Sequence, residues 1–365
     1  MTTVIQGKEE GIQVVLTKPL SLERELDDEY RVPNILQRIL SLFKNVRPGS
    51  DLTRLQLPPL FNFPKSQLQC YGESVYCTAS DLLNRCNNGE SSLERFASVV
   101  AWSISTTRPL IFGVSPFNPI LGETHHVSRG NLNILLEQVS HHPPLEPKFH
   151  GTSVEAQVHG KRKLKLLNHG ETYEMNSPHL LIRILPVPGV VWVGNVTISC
   201  PETGLVAELC YISNSFLGFK GNQRLIKGKI FDSSSKILYE VDGHWDKTVT
   251  VKDTNNGKVR VIYDAKEAIS GLKTPTVKDA MGVWPSESAV VWSESSQGIL
   301  SKDWEKAREA KKAVEDKQRE LSRERESRGE TWVPKHFIVT HSKEGGWDSS
   351  PIQKWVPPAP IVASV

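Results

Sequence analysis

Val32, Ile35, Leu36, Ile39, Leu40 and Phe43 recur at offsets 0, 3, 4, 7, 8 and 11, the spacing of one helical face, and Pro33 stands near the first turn, where its missing N–H costs little. The pattern predicts a short amphipathic helix. The same offsets return in Leu93, Phe96, Ala97, Val100, Ala101 and Ile104, with Ser91 or Ser92 as cap. A second helix is predicted there, ending before Pro109. From about residue 120 to 265 the texture changes to short β-branched and aromatic runs broken by Gly, Pro, Asn and Asp. They include Asn131–Val139, Leu180–Leu185, Val190–Ile198, Val206–Ile212, Lys236–Val241 and Val259–Tyr263. With no helical segments between them, such runs favour an antiparallel barrel or sandwich over alternating β-α units. Between Asp303 and Arg328 only Trp304, Ala307, Val314 and Leu321 make a thin apolar stripe, which predicts a long, largely solvated helix. The tail beyond Gly345, with Pro351, Pro357, Pro358 and Pro360, is expected to be extended or poorly ordered.

Composition narrows this picture. Among 365 residues, 38% hydrophobic and 23% charged, 44 basic side chains nearly balance 41 acidic ones, so a globular chain is expected and no nucleic-acid footprint is visible. The run His159–Lys165 is basic; it reads as a solvated strand edge or as a patch that favours anionic surfaces. No stretch approaches the ~18 apolar residues of a membrane span, and Met1–Glu10 lacks a basic-then-apolar signal pattern. Five cysteines without a Cys-x-x-Cys spacing suggest neither a disulfide framework nor a zinc site, and a reducing cytosol fits.

The most informative segment is Glu137-Gln138-Val139-Ser140-His141-His142-Pro143-Pro144. Adjacent side chains on a regular strand face opposite ways, so both imidazoles can meet one ligand only if the chain bends, and Pro143 supplies the irregularity. Paired imidazoles suit an anionic headgroup such as a phosphate, to which each can donate. A metal site of His125, His126, His141 and His142 is the competing reading. No His-Glu-x-x-His, Gly-x-Ser-x-Gly elbow or Walker loop supports an enzyme, however, and neither catalysis nor a cofactor or metal is expected.

Glu137–Pro144 resembles the signature of the oxysterol-binding-protein-related family. Pro116-Phe117-Asn118-Pro119-Ile120-Leu121-Gly122-Glu123-Thr124 resembles the family segment that precedes it, and Trp332-Val333-Pro334-Lys335-His336-Phe337 resembles its closing motif. The likeness spans roughly Val32 to Phe337, with neither a pleckstrin-homology region nor ankyrin repeats before it, and so suggests a short form similar to plant members that consist of the lipid-binding domain alone. It implies an α+β, mainly β fold: a large near-closed antiparallel β-barrel around a central hydrophobic tunnel, with an N-terminal helical lid and flanking helices. The expected division is a flexible extension over 1–31, one lipid-binding domain over 32–340, and a tail over 341–365. Within the domain, 32–57 is the lid (Val32, Ile35, Leu36, Ile39, Leu40, Phe43), 58–110 is helical, 111–265 forms the barrel, and 266–340 is a C-terminal subdomain with the charged helix 303–328.

The resemblance further implies a carrier of one sterol or phospholipid between membranes, exchanged in many members for phosphatidylinositol 4-phosphate. A lipid sensor or scaffold without bulk transfer is the alternative. The headgroup residues it implies are His141, His142, Asn118 and the series Lys311, Glu315 and Arg319. Their spacing at i, i+4 and i+8 puts the last three on one helical face, where alone they would read as an exposed ion-pair ladder. The family's basic residue before Pro-Phe-Asn-Pro has no counterpart, since Ser115 occupies its position. The implied setting is cytoplasmic and peripheral at endoplasmic reticulum or Golgi membranes. The implied partners are the lipid, transiently contacted anionic membranes and an endoplasmic reticulum membrane adaptor, with no nucleic acid and a monomeric chain.

Overall fold

The computed structural model describes residues 3–6, 13–22, 32–52, 56–78, 81–140, 145–158, 160–213, 223–341, 347–353 and 355–364. The fold is mainly β. Eleven antiparallel strands between Leu145 and Asp264 form one sheet in which Gly189–Cys200, Leu205–Ser213, Gln223–Phe231, Ile237–His244, Thr248–Asp253 and Val259–Asp264 each pair with the next. On the other side of Gly189–Cys200 the sheet continues through His179–Arg183, Ser153–Val158 and Leu145–Phe149, and the hairpin Arg162–Leu166/Glu171–Met175 branches from its C-terminal half. Among the described residues the two outer strands, Leu145–Phe149 and Val259–Asp264, do not pair with each other.

Period-two alternation explains which face packs. Val196, Ile198 and Cys200 are buried while Asn195 and Thr197 are exposed, and Leu205, Ala207, Leu209 and Tyr211 repeat the pattern on the neighbouring strand. This face packs on the helix Ser92–Ser105, whose Phe96, Val100, Ala101 and Ile104 are wholly covered. Ser91 caps that helix by accepting from Glu94 N at 3.2 Å. The charged helix, Trp304–Arg328, starts on an Asp303 cap that accepts from Lys306 N and stops at Gly329 in the left-handed region. Only Ala307, Ala310 and Lys311 on it are buried, as its thin stripe implies.

The N-terminal end departs from the expectation. The extension 1–31 was expected to be flexible, yet Gln13–Leu16 is a strand, and Val14, Val15, Leu16, Thr17, Leu20 and Ser21 are buried. Val14 and Leu16 join a core with Tyr76, Val127, Leu272 and Ile361, and Lys65 Nζ clamps the segment by donating to Lys18 O at 3.0 Å. Hydrophobic burial and that charge-assisted bond fix the chain. The tail takes the extended one of its two expected forms and is ordered where it is described. Ile361–Val362 pairs with Val127–Ser128 and with Thr276–Val277, and Ile361 and Ala363 are buried. Prolines cannot donate to a sheet, but their carbonyls still accept, and Asn133 Nδ2 donates to Val356 O at 2.8 Å and Pro357 O at 2.9 Å.

The three motif segments meet. Glu137, opening the histidine segment, accepts from Lys335 N at 2.7 Å and His336 N at 2.9 Å of the closing motif. Trp332 packs so closely on Gly122 that a Cβ there would lie 2.6 Å from the indole, and Gly122 has φ +80°. Among the described residues no helix is long and apolar enough to cross a membrane.

Candidate lipid and headgroup site

The amphipathic helix forms over Ile35–Phe43, three residues inside the predicted start, because Asn34 adopts a left-handed conformation and provides no side-chain cap. Its apolar face covers a cluster that includes Leu52, Phe61, Phe149, Val154 and Ile184, and Phe43 stacks on Phe149 with ring centroids 4.8 Å apart. Val32 and Ile39 are buried, Ile35, Leu36 and Phe43 are half-buried, and Leu40 is 41% exposed. A nine-residue helix without a capping side chain has little stability of its own and depends on this docking. An open cleft lined by Arg38, Ser41, Leu42, Leu60 and Phe61 separates it from the short turn Pro59–Phe61.

Two places carry apolar or aromatic surface that the fold covers only in part. On His179–Arg183 every residue is half-buried, so Leu180, Leu181 and Ile182 show apolar surface on both strand faces where a packed strand would alternate. Tyr71, on the helix Gln67–Tyr76, is 45% exposed. Desolvation by the surrounding protein pushes its phenol pKa up, opposed by the hydrogen bond that Gln67 Nε2 donates to its hydroxyl at 3.1 Å. Arg162 lies near it: burial lowers the guanidinium pKa, and the group donates to Thr106 Oγ1 at 2.8 Å and Ser103 Oγ at 3.0 Å.

The headgroup candidates divide. His141 and His142 lie outside the described residues. Asn118 is exposed one position beyond the strand Ser115–Phe117, and among the described residues no hydrogen bond joins it to Lys311, Glu315 or Arg319. Lys311, Glu315 and Arg319 do share one face. Lys311 Nζ is 3.8 Å from Glu315, and Arg319 Nη2 is 3.4 Å from Glu315. Arg319 is also held by Asp316, whose pKa is pulled down first by Lys312.

Lys311 is not part of an exposed ladder. It is buried, and its ammonium donates to Leu57 O and to Asn62 Oδ1 at 3.0 Å, both neutral acceptors. Desolvation lowers its pKa and Glu315 opposes the shift only from beyond hydrogen-bond distance. A lysine has three N–H donors; two are engaged, and the third has no acceptor within hydrogen-bond reach among the described residues. Asn62 in turn donates from Nδ2 to Ser115 O at 3.2 Å and Pro116 O at 3.3 Å, tying the lysine to the strand on which Ser115 sits. Asn62, Leu57 and Asp316 were missed by the sequence reading. Asp316 could have been found as a neighbour at i−3 of Arg319, whereas Asn62 and Leu57 are 249 and 254 positions from Lys311 and carry no local signal.

Of the four histidines of the alternative metal reading, His125 and His126 are engaged in bonds within the protein, while His141 and His142 lie outside the described residues. His125 Nδ1 meets Glu287 Oε1 at 2.6 Å and its Nε2 meets Tyr76 OH at 3.0 Å, while His126 Nε2 meets Asn133 Oδ1 at 3.0 Å. No group of three or more potential metal ligands occurs among the described residues.

A profile of the oxysterol-binding protein family matches residues 39–147 and 145–298. The chain therefore belongs to that family, whose members bind lipids and are not enzymes. Among its relatives, oxysterol-binding protein-related protein 4B of Arabidopsis thaliana is 56% identical over 96% of this chain and 97% of the relative. Oxysterol-binding protein-related protein 4C of the same plant is 55% identical over 96% and 98%. The fold is similar to that of the Osh1 ORD domain solved with cholesterol, with TM-score 0.72 and 20% identity over 92% of this chain and 90% of that one. It is also similar to the Osh3 ORD of Saccharomyces cerevisiae solved with PI(4)P, with TM-score 0.66 and 20% identity over 94% and 95%.

Proposed function

We propose that this chain encloses one lipid and carries it between membranes, with the helix Ile35–Phe43 acting as lid. In this reading Lys311 and Arg319, together with His141 and His142, hold an anionic headgroup, and Asn118 and Glu315 orient it. The observation that carries the headgroup assignment is the environment of Lys311: a buried ammonium whose hydrogen-bond acceptors are neutral, with Glu315 no closer than 3.8 Å and one donor unengaged among the described residues. Its charge is penalised by burial until an anion arrives, so a phosphate relieves the penalty and gains a charge-assisted bond. The likeness to domains solved with cholesterol and with PI(4)P makes a sterol and a phosphoinositide the ligands to test.

Moving the acyl or ring portion from bilayer to protein exchanges one apolar medium for another, so the net hydrophobic term is small. Headgroup contacts and lid closure then set selectivity. Lys311→Met keeps the length of the side chain and removes the charge. It is expected to lower extraction of phosphatidylinositol 4-phosphate from liposomes about 10- to 100-fold, the equivalent of one charge-assisted hydrogen bond of ~1.5–3 kcal/mol, while changing sterol extraction less than about twofold. Equal loss of both lipids, or of neither, would remove the headgroup from Lys311. Sterol and phosphoinositide extraction without delivery to acceptor liposomes would favour a sensor over a carrier.

A further inference from the structure

We infer that Asn62 is a positioning residue for the headgroup site: it holds Lys311 away from Glu315 and so keeps one N–H of the ammonium available to an anion. The inference rests on the headgroup reading above. Asn62 belongs to the strand Asn62–Ser66, which runs parallel to Ser115–Phe117. Its side chain is buried, and both ends of the amide are engaged: Oδ1 accepts from Lys311 Nζ at 3.0 Å, and Nδ2 donates to Ser115 O and Pro116 O. The two backbone acceptors of Nδ2 fix which way the amide faces, so an acceptor is always turned to Lys311.

The distances show what this orientation prevents. Glu315 lies one helical turn from Lys311, the spacing at which oppositely charged side chains normally close on each other. Here the closest approach is 3.8 Å, outside hydrogen-bond range, because Asn62 Oδ1 and Leu57 O draw the ammonium the other way. Without Asn62 the ammonium loses one of its two acceptors and its nearest replacement is the Glu315 carboxylate. The loose ion pair at 3.8 Å, closed to hydrogen-bond distance, would occupy the free donor and further offset the charge that a phosphate is to meet. The same geometry gives Ser115 a role apart from charge. Its carbonyl anchors the amide, and its Oγ lies 3.4 Å from Phe61 O and 3.5 Å from Asn62 Nδ2, so the position that lacks the family's cation helps to aim the cation on the charged helix.

A double-mutant cycle tests this, read as extraction of phosphatidylinositol 4-phosphate and of sterol from liposomes by the full chain, with thermal unfolding recorded for each variant. Asn62→Ala is expected to lower phosphoinositide extraction about tenfold and leave sterol extraction within about twofold. In the Glu315→Gln background, where no carboxylate remains for Lys311 to close on, the same change is expected to cost less than about threefold. A purely structural role for Asn62 would lower both extractions together and equally in both backgrounds, and that result overturns the inference, as does an Asn62→Ala protein with unchanged phosphoinositide extraction. Should Asn62→Ala fail to unfold cooperatively, Asn62→Ser, which keeps a hydroxyl acceptor of smaller reach, is put through the same cycle with the same two readings. Lys311→Met is measured alongside: if it extracts phosphoinositide as well as wild type, the headgroup reading falls and this inference with it, whereas loss with Lys311→Met and none with Asn62→Ala overturns the role of Asn62 alone.

Discussion

Replacing Glu73 by alanine is expected to destabilise the protein by about 3–5 kcal/mol, far more than loss of a surface ion pair at about 0–1 kcal/mol. Lys65 and Glu73 form a bidentate pair at 2.7 and 2.8 Å with side chains only 3% and 8% exposed. Removing the carboxylate leaves a buried ammonium with the Lys18 carbonyl as its remaining acceptor. Such a charge is costly because the interior replaces little of its lost hydration. Replacing both partners by apolar residues of similar size, Lys65→Met with Glu73→Leu, removes the desolvation penalty along with the pair and is expected to recover most of the loss. Urea denaturation of the single and double variants measures this. A Glu73→Ala protein within about 1 kcal/mol of wild type would show that the pair is not desolvated in solution.

Removal of residues 1–22 is expected to have a still larger effect. Val14, Val15, Leu16 and Leu20 are each at most 9% exposed, and burying such a side chain contributes about 1.5–3 kcal/mol. Four of them together are worth on the order of 6–12 kcal/mol before relaxation, which is comparable with the whole stability of an ordinary domain at about 5–15 kcal/mol. The truncation also takes away the Lys18 carbonyl from Lys65 and the bond from Leu22 N to Ile269 O at 3.2 Å. The truncated chain is therefore expected to lose cooperative thermal unfolding. Circular dichroism decides it: a midpoint within a few degrees of the full chain would mean that the core around Tyr76, Val127 and Ile361 closes without its N-terminal strand.

That strand also shows where sequence reading stopped. Helix Ser92–Ser105 and the charged helix were legible because each runs for many residues with a clear apolar stripe or a clear lack of one. The paired strands from Gly189 to Asp264 were legible through alternation and intervening turns. Gln13–Leu16, by contrast, has only four residues, too few for any period to register, and its burial is decided by Lys65 and by side chains far along the chain. The ordered tail followed the same rule: Asn133 and Ser128, more than 220 positions earlier, hold it in place through Asn133 Nδ2 and through Ser128 Oγ, which accepts from Ala359 N at 2.7 Å.

The candidate site was legible to a similar depth. Helical spacing placed Lys311, Glu315 and Arg319 on one face, and the structure agrees. Spacing could not reveal that Lys311 turns inward to Leu57 and Asn62 while Arg319 remains 40% exposed and paired with Asp316. Nor could it show that Asn118, although it adjoins Ser115, stays exposed. The histidines at 125 and 126 look like ligands in one dimension, but in three dimensions they belong to bonds with Glu287, Tyr76 and Asn133 that join separate parts of the core.

Enclosure of one lipid is the centre of the proposed function, and native mass spectrometry tests it most directly. Purified chain is incubated with liposomes containing sterol and phosphatidylinositol 4-phosphate, separated from them, and weighed intact, with the released lipid identified. Expected is a folded monomer mass increased by one lipid, either sterol or phosphoinositide. A chain that keeps its folded charge-state distribution yet carries no lipid after exposure to both would contradict an interior binding space.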